Sequence, residues 1–235
     1  MTLTLVKKTD EAKGTKSFYF KPSEDFTFEA GQYIYIILPS LKYEDARGDT
    51  RHFTISSSPT ETEDNLLRIT TRMRDQSGYK KTLDELEIGA TVAARGPQGF
   101  FVLNSKKVDT TSPQIFLAGG IGITPFRSII KYNLDKGLNI PIHLIYSNSD
   151  SEFVFKSELD LWQTQNQNLK IDYFDSSKEG HLDSDKLKTL LPATDFKQTT
   201  FWAVGPNPFI DAMEEIFEKL EIPEDNIKTE KFTGY

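Results

Sequence analysis

Two short segments carry the residue types that could hold and use a phosphorylated heterocycle. The first is Ala118-Gly119-Gly120-Ile121-Gly122-Ile123-Thr124-Pro125, set between an apolar run and a helical pattern. Glycines let the backbone turn sharply and approach a ligand, Thr124 suits a helix cap, Pro125 suits a first helical turn, and free N–H groups there attract phosphate. That is the chemistry of a pyrophosphate site. The spacing is not G-x-G-x-x-G, however, and a plain glycine-rich strand-to-helix turn gives the same letters. The second segment is Arg51-His52-Phe53-Thr54-Ile55-Ser56-Ser57. On a strand, Arg51, Phe53 and Ile55 would point one way and His52 and Thr54 the other. A guanidinium suits phosphate and an aromatic ring suits a flat heterocycle, although a surface arginine beside a core phenylalanine is the plainer reading.

The remaining reactive residue types are few. The chain has no cysteine, which removes disulfides, thiolate nucleophiles, Cys-ligated zinc and any iron-sulfur cluster held by this sequence. Redox chemistry therefore needs a borrowed cofactor. His143 and His181 read as structural, His52 lies inside the second segment, and no H-x-x-x-H or carboxylate grouping suggests a metal. Phe18, Phe20, Phe26, Phe28, Phe100 and Phe101 read as core.

The elements that must position these segments fall into two kinds. Up to about Leu103 the apolar residues come in short period-two runs: Leu3 and Leu5, Phe18 and Phe20, Tyr33 to Leu38, Phe53 and Ile55, Leu67 and Ile69, Val92 to Ala94, and Phe101 to Leu103. These predict strands. Turn material such as Lys21-Pro22-Ser23, Ala30-Gly31-Gln32 and Gly96-Pro97-Gln98-Gly99 separates them, as in a small antiparallel barrel or sandwich, with one helix over about Tyr79 to Leu86. After the polar stretch from Asn104 to Pro113 the rhythm changes. Strands at Ile115 to Ala118, Ile142 to Tyr146, Leu169 to Phe174, Thr199 to Val204 and near Ile227 to Lys231 alternate with helices. The helices are one through Phe126, Ile129 and Ile130, then Glu152 to Gln165, Ser184 to Leu190 and Pro208 to Leu220. Alternation of this kind predicts a parallel sheet covered by helices on both faces. The expected division is one domain over residues 1 to 105 and a second over 112 to 235.

Composition bounds what such a molecule can do. At 235 residues, 37% hydrophobic and 27% charged, the chain can bury a core. Its 28 basic and 35 acidic side chains give a net charge of −7, which argues against a nucleic-acid footprint over the whole surface. Met1 to Lys8 is not a basic start followed by a long apolar run, and no stretch approaches the roughly 18 apolar residues of a membrane span. The expectation is a soluble cytoplasmic protein.

The two segments, in this order and about seventy residues apart, resemble the ferredoxin-NADP reductase superfamily. The pattern R-x-Y-[ST] stands as Arg51-His52-Phe53-Thr54, G-P-x-G as Gly96-Pro97-Gln98-Gly99, G-G-x-G-[IV]-[AT]-P as Gly119 to Pro125, and the late G-P as Gly205-Pro206. The resemblance spans essentially the whole chain. It implies an antiparallel flavin-binding β-barrel followed by a Rossmann-like α/β domain with a five-stranded parallel sheet for the nicotinamide nucleotide. By that resemblance Arg51 would pair with a flavin phosphate, His52 would touch the FAD phosphates or adenine, Phe53 would lie against the isoalloxazine, and the Thr54 hydroxyl would sit near the N5 that accepts hydride. Phe53 stands where the family usually has Tyr, which loses a phenolic hydrogen bond. Thr70, Thr71 and Arg72 would line the ring through their strand. Ser77, Gly78, Tyr79, Lys80, Lys81 and Thr82, at the start of the helix, would hold the FAD pyrophosphate, with Lys80 where Ser is common.

On the nicotinamide side, Gly119, Gly120, Ile121, Gly122, Thr124 and Pro125 would take the pyrophosphate, and Gly205 and Pro206 would border the nicotinamide. Val204 replaces a frequent Cys. Phe232 and Tyr235 are candidates for the aromatic residue that relatives place near the flavin face; a frayed terminus is the alternative. Asp150, after Ser147-Asn148-Ser149, stands where a basic residue would favour a 2′-phosphate, so NADH is expected over NADPH. The implied activity is hydride transfer from NAD(P)H to bound FAD and onward electron transfer to a ferredoxin, haem protein or oxygenase. An acidic partner could dock on Arg72, Arg74, Lys80 and Lys81. The alternatives are a reductase that takes free flavin as substrate and a nucleotide-binding regulatory subunit without turnover.

Overall fold

The computed structural model describes residues 1–61, 65–103 and 113–232. The chain divides into two units, one made of Met1–Leu103 with Arg127–Tyr132, the other of Asn104–Phe126 with Asn133–Tyr235.

The first unit contains β1 (Thr2–Ala12), β2 (Thr15–Pro22), β3 (Tyr33–Ile37), β4 (Thr50–Thr54), β5 (Leu67–Arg72), α1 (Gly78–Asp84) and β6 (Thr91–Gln98). Six strands form one sheet in the order β4-β3-β6-β1-β2-β5, and the neighbouring strands pair antiparallel. A single bridge between Ile55 and Ile69 brings the two edges together into a barrel. The period-two pattern sets which face is inside. Leu3 and Leu5, Phe18 and Phe20, Ile34 and Ile36, Phe53 and Ile55, and Leu67 and Ile69 share one core with Tyr79 and Leu83 of α1. Burying each large side chain contributes roughly 1.5–3 kcal/mol, so a one-residue slip of any strand would forfeit several such terms.

The strand expected at Phe101 to Leu103 is absent: those residues lie outside any strand, and although Phe101 and Leu103 are buried, Phe100, expected in the core, is fully exposed. Gly99, at φ +107, turns the chain away after β6, and the Phe101 carbonyl settles against Gly31, where an added Cβ would come within 2.1 Å of it. Two buried apolar residues anchoring a loop mimic a short strand in sequence.

The second unit contains β7 (Gln114–Gly119), a 3-10 turn at Gly120–Gly122, the two ends of α2 (Ile123–Asp135), whose middle is counted with the first unit, β8 (Ile142–Asn148), α3 (Lys156–Gln165), β9 (Leu169–Asp175), the short α4 (Ser176–Glu179), α5 (Ser184–Leu190), β10 (Thr200–Pro206), α6 (Asn207–Lys219) and β11 (Ile227–Phe232). Its five strands run parallel in the order β11-β10-β7-β8-β9. Ile115, Leu117, Phe201 and Ala203 on one face pack with Leu187 of α5 and Ile210, Met213 and Phe217 of α6. Elsewhere in the unit Phe116 stacks on Phe126 of α2 at 4.5 Å, and Trp202 Nε1 donates to Gln114 Oε1 at 3.0 Å. The helix expected from Glu152 starts only at Lys156. Asp150 accepts from the Glu152 N–H at 2.8 Å in a turn, and Phe155 takes a left-handed φ of +63.

Candidate functional site

In the first unit, β4 delivers Arg51 beside α1. Arg51 Nη1 donates to the carbonyls of Arg47, Gly48 and Thr50 at 2.9, 3.0 and 2.8 Å, and Nη2 forms an ion pair with Asp45. Asp45 also accepts from Ser77 Oγ and from the Tyr79 N–H, each at 2.9 Å. Burial pushes the Asp45 pKa up, but hydrogen bonds from the Tyr79 and Arg47 backbones and from Ser77, with the Arg51 charge, outweigh it and hold it at about 2. The carboxylate is therefore ionised at any working pH.

Around this pair the charge is strongly positive. Burial, aided by the charges of Arg74, Arg47 and Arg51, pushes the Lys80 ammonium down to about 8. Burial with Arg47 and Arg51 likewise lowers His52. Several cations gathered round one buried lysine make a place where an anion is stabilised. The donor set therefore fits a pyrophosphate in charge, with Arg51 and Ser77 already engaged by Asp45.

The other proposed flavin residues divide by face. Phe53 lies in the barrel core, 6.0 Å from the Tyr79 ring. His52 packs against Tyr33 and Tyr35, at 5.4 and 5.8 Å between ring centroids. Thr54 is buried at the end of β4. Thr70 is committed elsewhere, its hydroxyl bonding Ser17 at 2.7 Å and Ser56 at 2.9 Å. Thr71 is buried and Arg72 half-buried near the end of β5, an edge strand of its sheet. Gly78 has no room for a side chain, because an added Cβ would meet the Glu44 and Tyr43 carbonyls at 2.2 and 2.6 Å. Thr82 Oγ1 donates to the Gly78 carbonyl at 2.8 Å. The surface patch expected for an acidic partner loses one member: Lys80 is buried and donates to the Arg72 carbonyl at 2.8 Å, while Arg74 and Lys81 stay exposed.

In the second unit, sheet topology does the positioning. The chain runs from β7 to β8 and β9 on one side, then returns to β10 on the other, so β7 and β10 flank the point where the strand order reverses. Ligands of open α/β sheets bind at the carboxyl ends of strands at that point. Gly119 to Gly122 ends β7, and Gly205-Pro206 ends β10. The glycines are demanded by packing as well. An added Cβ on Gly122 would meet the Val204 carbonyl oxygen at 2.1 Å, and one on Gly119 or Gly205 would strike the Phe209 ring at 2.6 or 2.7 Å. Gly120 takes φ +54.

Ile121 is buried, and Pro125 lies in the first turn of α2. Thr124 does not cap the helix as expected. It lies inside α2 and its hydroxyl donates to the Ile121 carbonyl at 3.0 Å, because the 3-10 turn at Gly120–Gly122 precedes the helix and leaves Thr124 a carbonyl to satisfy. Phe232 is half-buried and pairs in register with Pro206. Tyr235 lies outside the described residues. Asp150 Oδ1 accepts from Asn148 Nδ2 at 2.8 Å beyond the end of β8.

The chain matches the family models for an oxidoreductase FAD-binding domain over residues 2–103 and an oxidoreductase NAD-binding domain over residues 116–215. It belongs to the ferredoxin-NADP reductase superfamily. It is 27% identical over 241 residues to flavohemoprotein A of Dictyostelium discoideum, covering 96% of this chain and 58% of that protein. It is 30% identical over 145 residues to ferredoxin–NADP reductase B of Sorangium cellulosum, covering 61% of this chain and 56% of that one. The chain thus spans well under two thirds of these relatives. Among solved structures, the flavohem-like FAD/NAD-binding domain of nitric oxide dioxygenase from Vibrio cholerae superposes with a TM-score of 0.80 at 20% identity, covering 98% of both chains. This superfamily member is accordingly an oxidoreductase built from FAD- and NAD-binding domains.

Two residues of the reductase fold escape a reading of the sequence. Asp45 sits in a loop of exposed residues and gives no periodic signal. Glu230 pairs in register with Val204, next to Gly205, and burial raises its pKa to about 7. A lone acid between Thr229 and Lys231 reads as an ordinary exposed strand position.

Proposed function

We propose that the protein is a flavin-dependent NAD(P)H reductase that takes hydride from NADH and delivers electrons to a protein acceptor such as a ferredoxin, haem protein or oxygenase component. The observation that carries this reading is the glycine-rich switch point: Gly119 to Gly122 and Gly205 turn the chain at the carboxyl ends of β7 and β10, where the strand order reverses and backbone N–H groups can meet a pyrophosphate. The first unit supplies the positive charge of Arg47, Arg51, Arg74 and Lys80 for a second pyrophosphate. FAD, when bound, supplies a two-electron acceptor ring that the side chains of this cysteine-free chain cannot provide. Thr54 would offer its hydroxyl to that ring, the β5 backbone offers edge hydrogen bonds, and Phe232 would screen the nicotinamide from water. Hydride transfer of this kind asks the protein for alignment more than for an acid or base.

Asp150 supports the choice of nucleotide. An acidic side chain beyond β8 repels a 2′-phosphate and accepts from ribose hydroxyls. A haem acceptor is consistent with the flavohemoprotein relative, whose length exceeds that of the matched region. The test is steady-state oxidation of NADH and NADPH with a one-electron acceptor dye. A higher kcat/KM with NADH, reduced by roughly tenfold in Asp150→Ala, is expected; a higher value with NADPH would contradict the assignment. A second reading, in which free flavin is a substrate, is favoured by the engagement of Arg51 with Asp45.

A further inference from the structure

The segment between β3 and β4 is strapped along α1. Lys42 N donates to Thr82 Oγ1 at 3.1 Å, and Tyr43 Oη and Lys42 Nζ both bond Glu85, at 2.6 and 3.2 Å. The Tyr43 and Glu44 carbonyls press so closely on Gly78 that no side chain fits there. From Lys42 to Asp49 every residue is exposed except Asp45. Its side chain dips inward to 7% exposure and meets Arg51, itself only 10% exposed. The carboxylate gathers the Arg51 guanidinium, the Ser77 hydroxyl, the Tyr79 N–H and the Arg47 N–H at 3.0 Å. These donors include Arg51, Ser77 and Tyr79, three of the groups that the family resemblance assigns to the flavin phosphates. An internal anion therefore already holds that position, on a strap that also fills the approach to Gly78.

We infer that Asp45 is a built-in competitor of the flavin phosphate for Arg51, so that this chain selects flavins by their ring and gains little from a 5′-phosphate. This deepens the proposed reading and rests on it. Two anions cannot share one buried guanidinium without costly repulsion. A phosphorylated flavin must either displace the strap or sit beside it against Arg47, Arg74 and Lys80. Riboflavin carries no such group and meets no such competition.

Flavin fluorescence quenching gives dissociation constants for riboflavin, FMN and FAD on wild-type protein and on Asp45→Asn, which keeps the shape and one acceptor while removing the charge. Wild type is expected to bind FMN within about threefold of riboflavin. In D45N the FMN affinity should rise at least about tenfold while riboflavin affinity stays put. An FMN-to-riboflavin ratio that is unchanged or lower in D45N would overturn the inference, because Asp45 would then be a strut that positions Arg51 for phosphate. Should D45N fail to fold, the wild-type ratio decides: a preference for FMN of about a hundredfold or more overturns the proposal. Absence of binding by all three flavins to wild type would overturn the parent reading and this inference together. Binding with an unaltered ratio overturns the inference alone.

Discussion

Gly122 shows how tightly single residues are bound to their places. A methyl group there would stand 2.1 Å from the Val204 carbonyl oxygen, a separation only a backbone shift can relieve. Gly122→Ala is expected to lower stability by about 2–3 kcal/mol and weaken nicotinamide-nucleotide binding in the same protein, read from thermal melts with and without NADH. Glu230 makes a pH-dependent prediction. Its pKa rises from 4.5 to about 7 on folding, so the folded state binds the extra proton and stability falls as pH rises between those values. Glu230→Gln should remove that slope, with a difference of up to about 2 kcal/mol between pH 5 and pH 8 in denaturant titrations; parallel pH profiles would contradict it. The glycines were legible because a residue without a side chain leaves a mark in any sequence. Asp45 was not, because its burial depends on Ser77 and Tyr79, 32 and 34 residues away.

Among the elements, α1 shows how a short helix is held where its residues can act. Seven residues do not sustain a helix in water, and tertiary ties make up the difference. Ser77 caps the start by accepting from the Lys80 N–H at 3.2 Å. At the far end Lys8 Nζ donates to the carbonyls of Asp84 and Leu86, the latter at 2.7 Å, and Lys16 pairs with Asp84 at 2.7 Å. Cations at a helix carboxyl end also satisfy its orphan carbonyls. Lys8→Met should destabilise the first unit by about 1 kcal/mol, measured by urea unfolding. The barrel strands follow from period-two alternation and turn residues, since alternation decides which side chains reach the core. Phe101 to Leu103 misled because a buried loop anchor obeys the same alternation. The strap over α1 left no trace, as exposed residues such as Lys42 and Tyr43 follow no period.

Across the whole molecule, two sheets of opposite logic share one chain: an antiparallel barrel that closes on itself through Ile55 and Ile69, and a parallel sheet whose strand order reverses beside β7. The change from period-two runs to strand–helix alternation marks this transition in the sequence, which is why both architectures are legible there. Among the described residues no helix is long and apolar enough to cross a membrane. Choice of electron acceptor is not written in either sheet, since it depends on exposed residues without periodic constraint. The most direct test of the central claim is an absorbance spectrum of the protein reconstituted with FAD, followed by anaerobic addition of one equivalent of NADH. A bound-flavin spectrum is expected, with its blue absorption bleached on that addition. Flavin that binds but is not bleached by NADH or NADPH, or protein that binds no flavin at all, would contradict it.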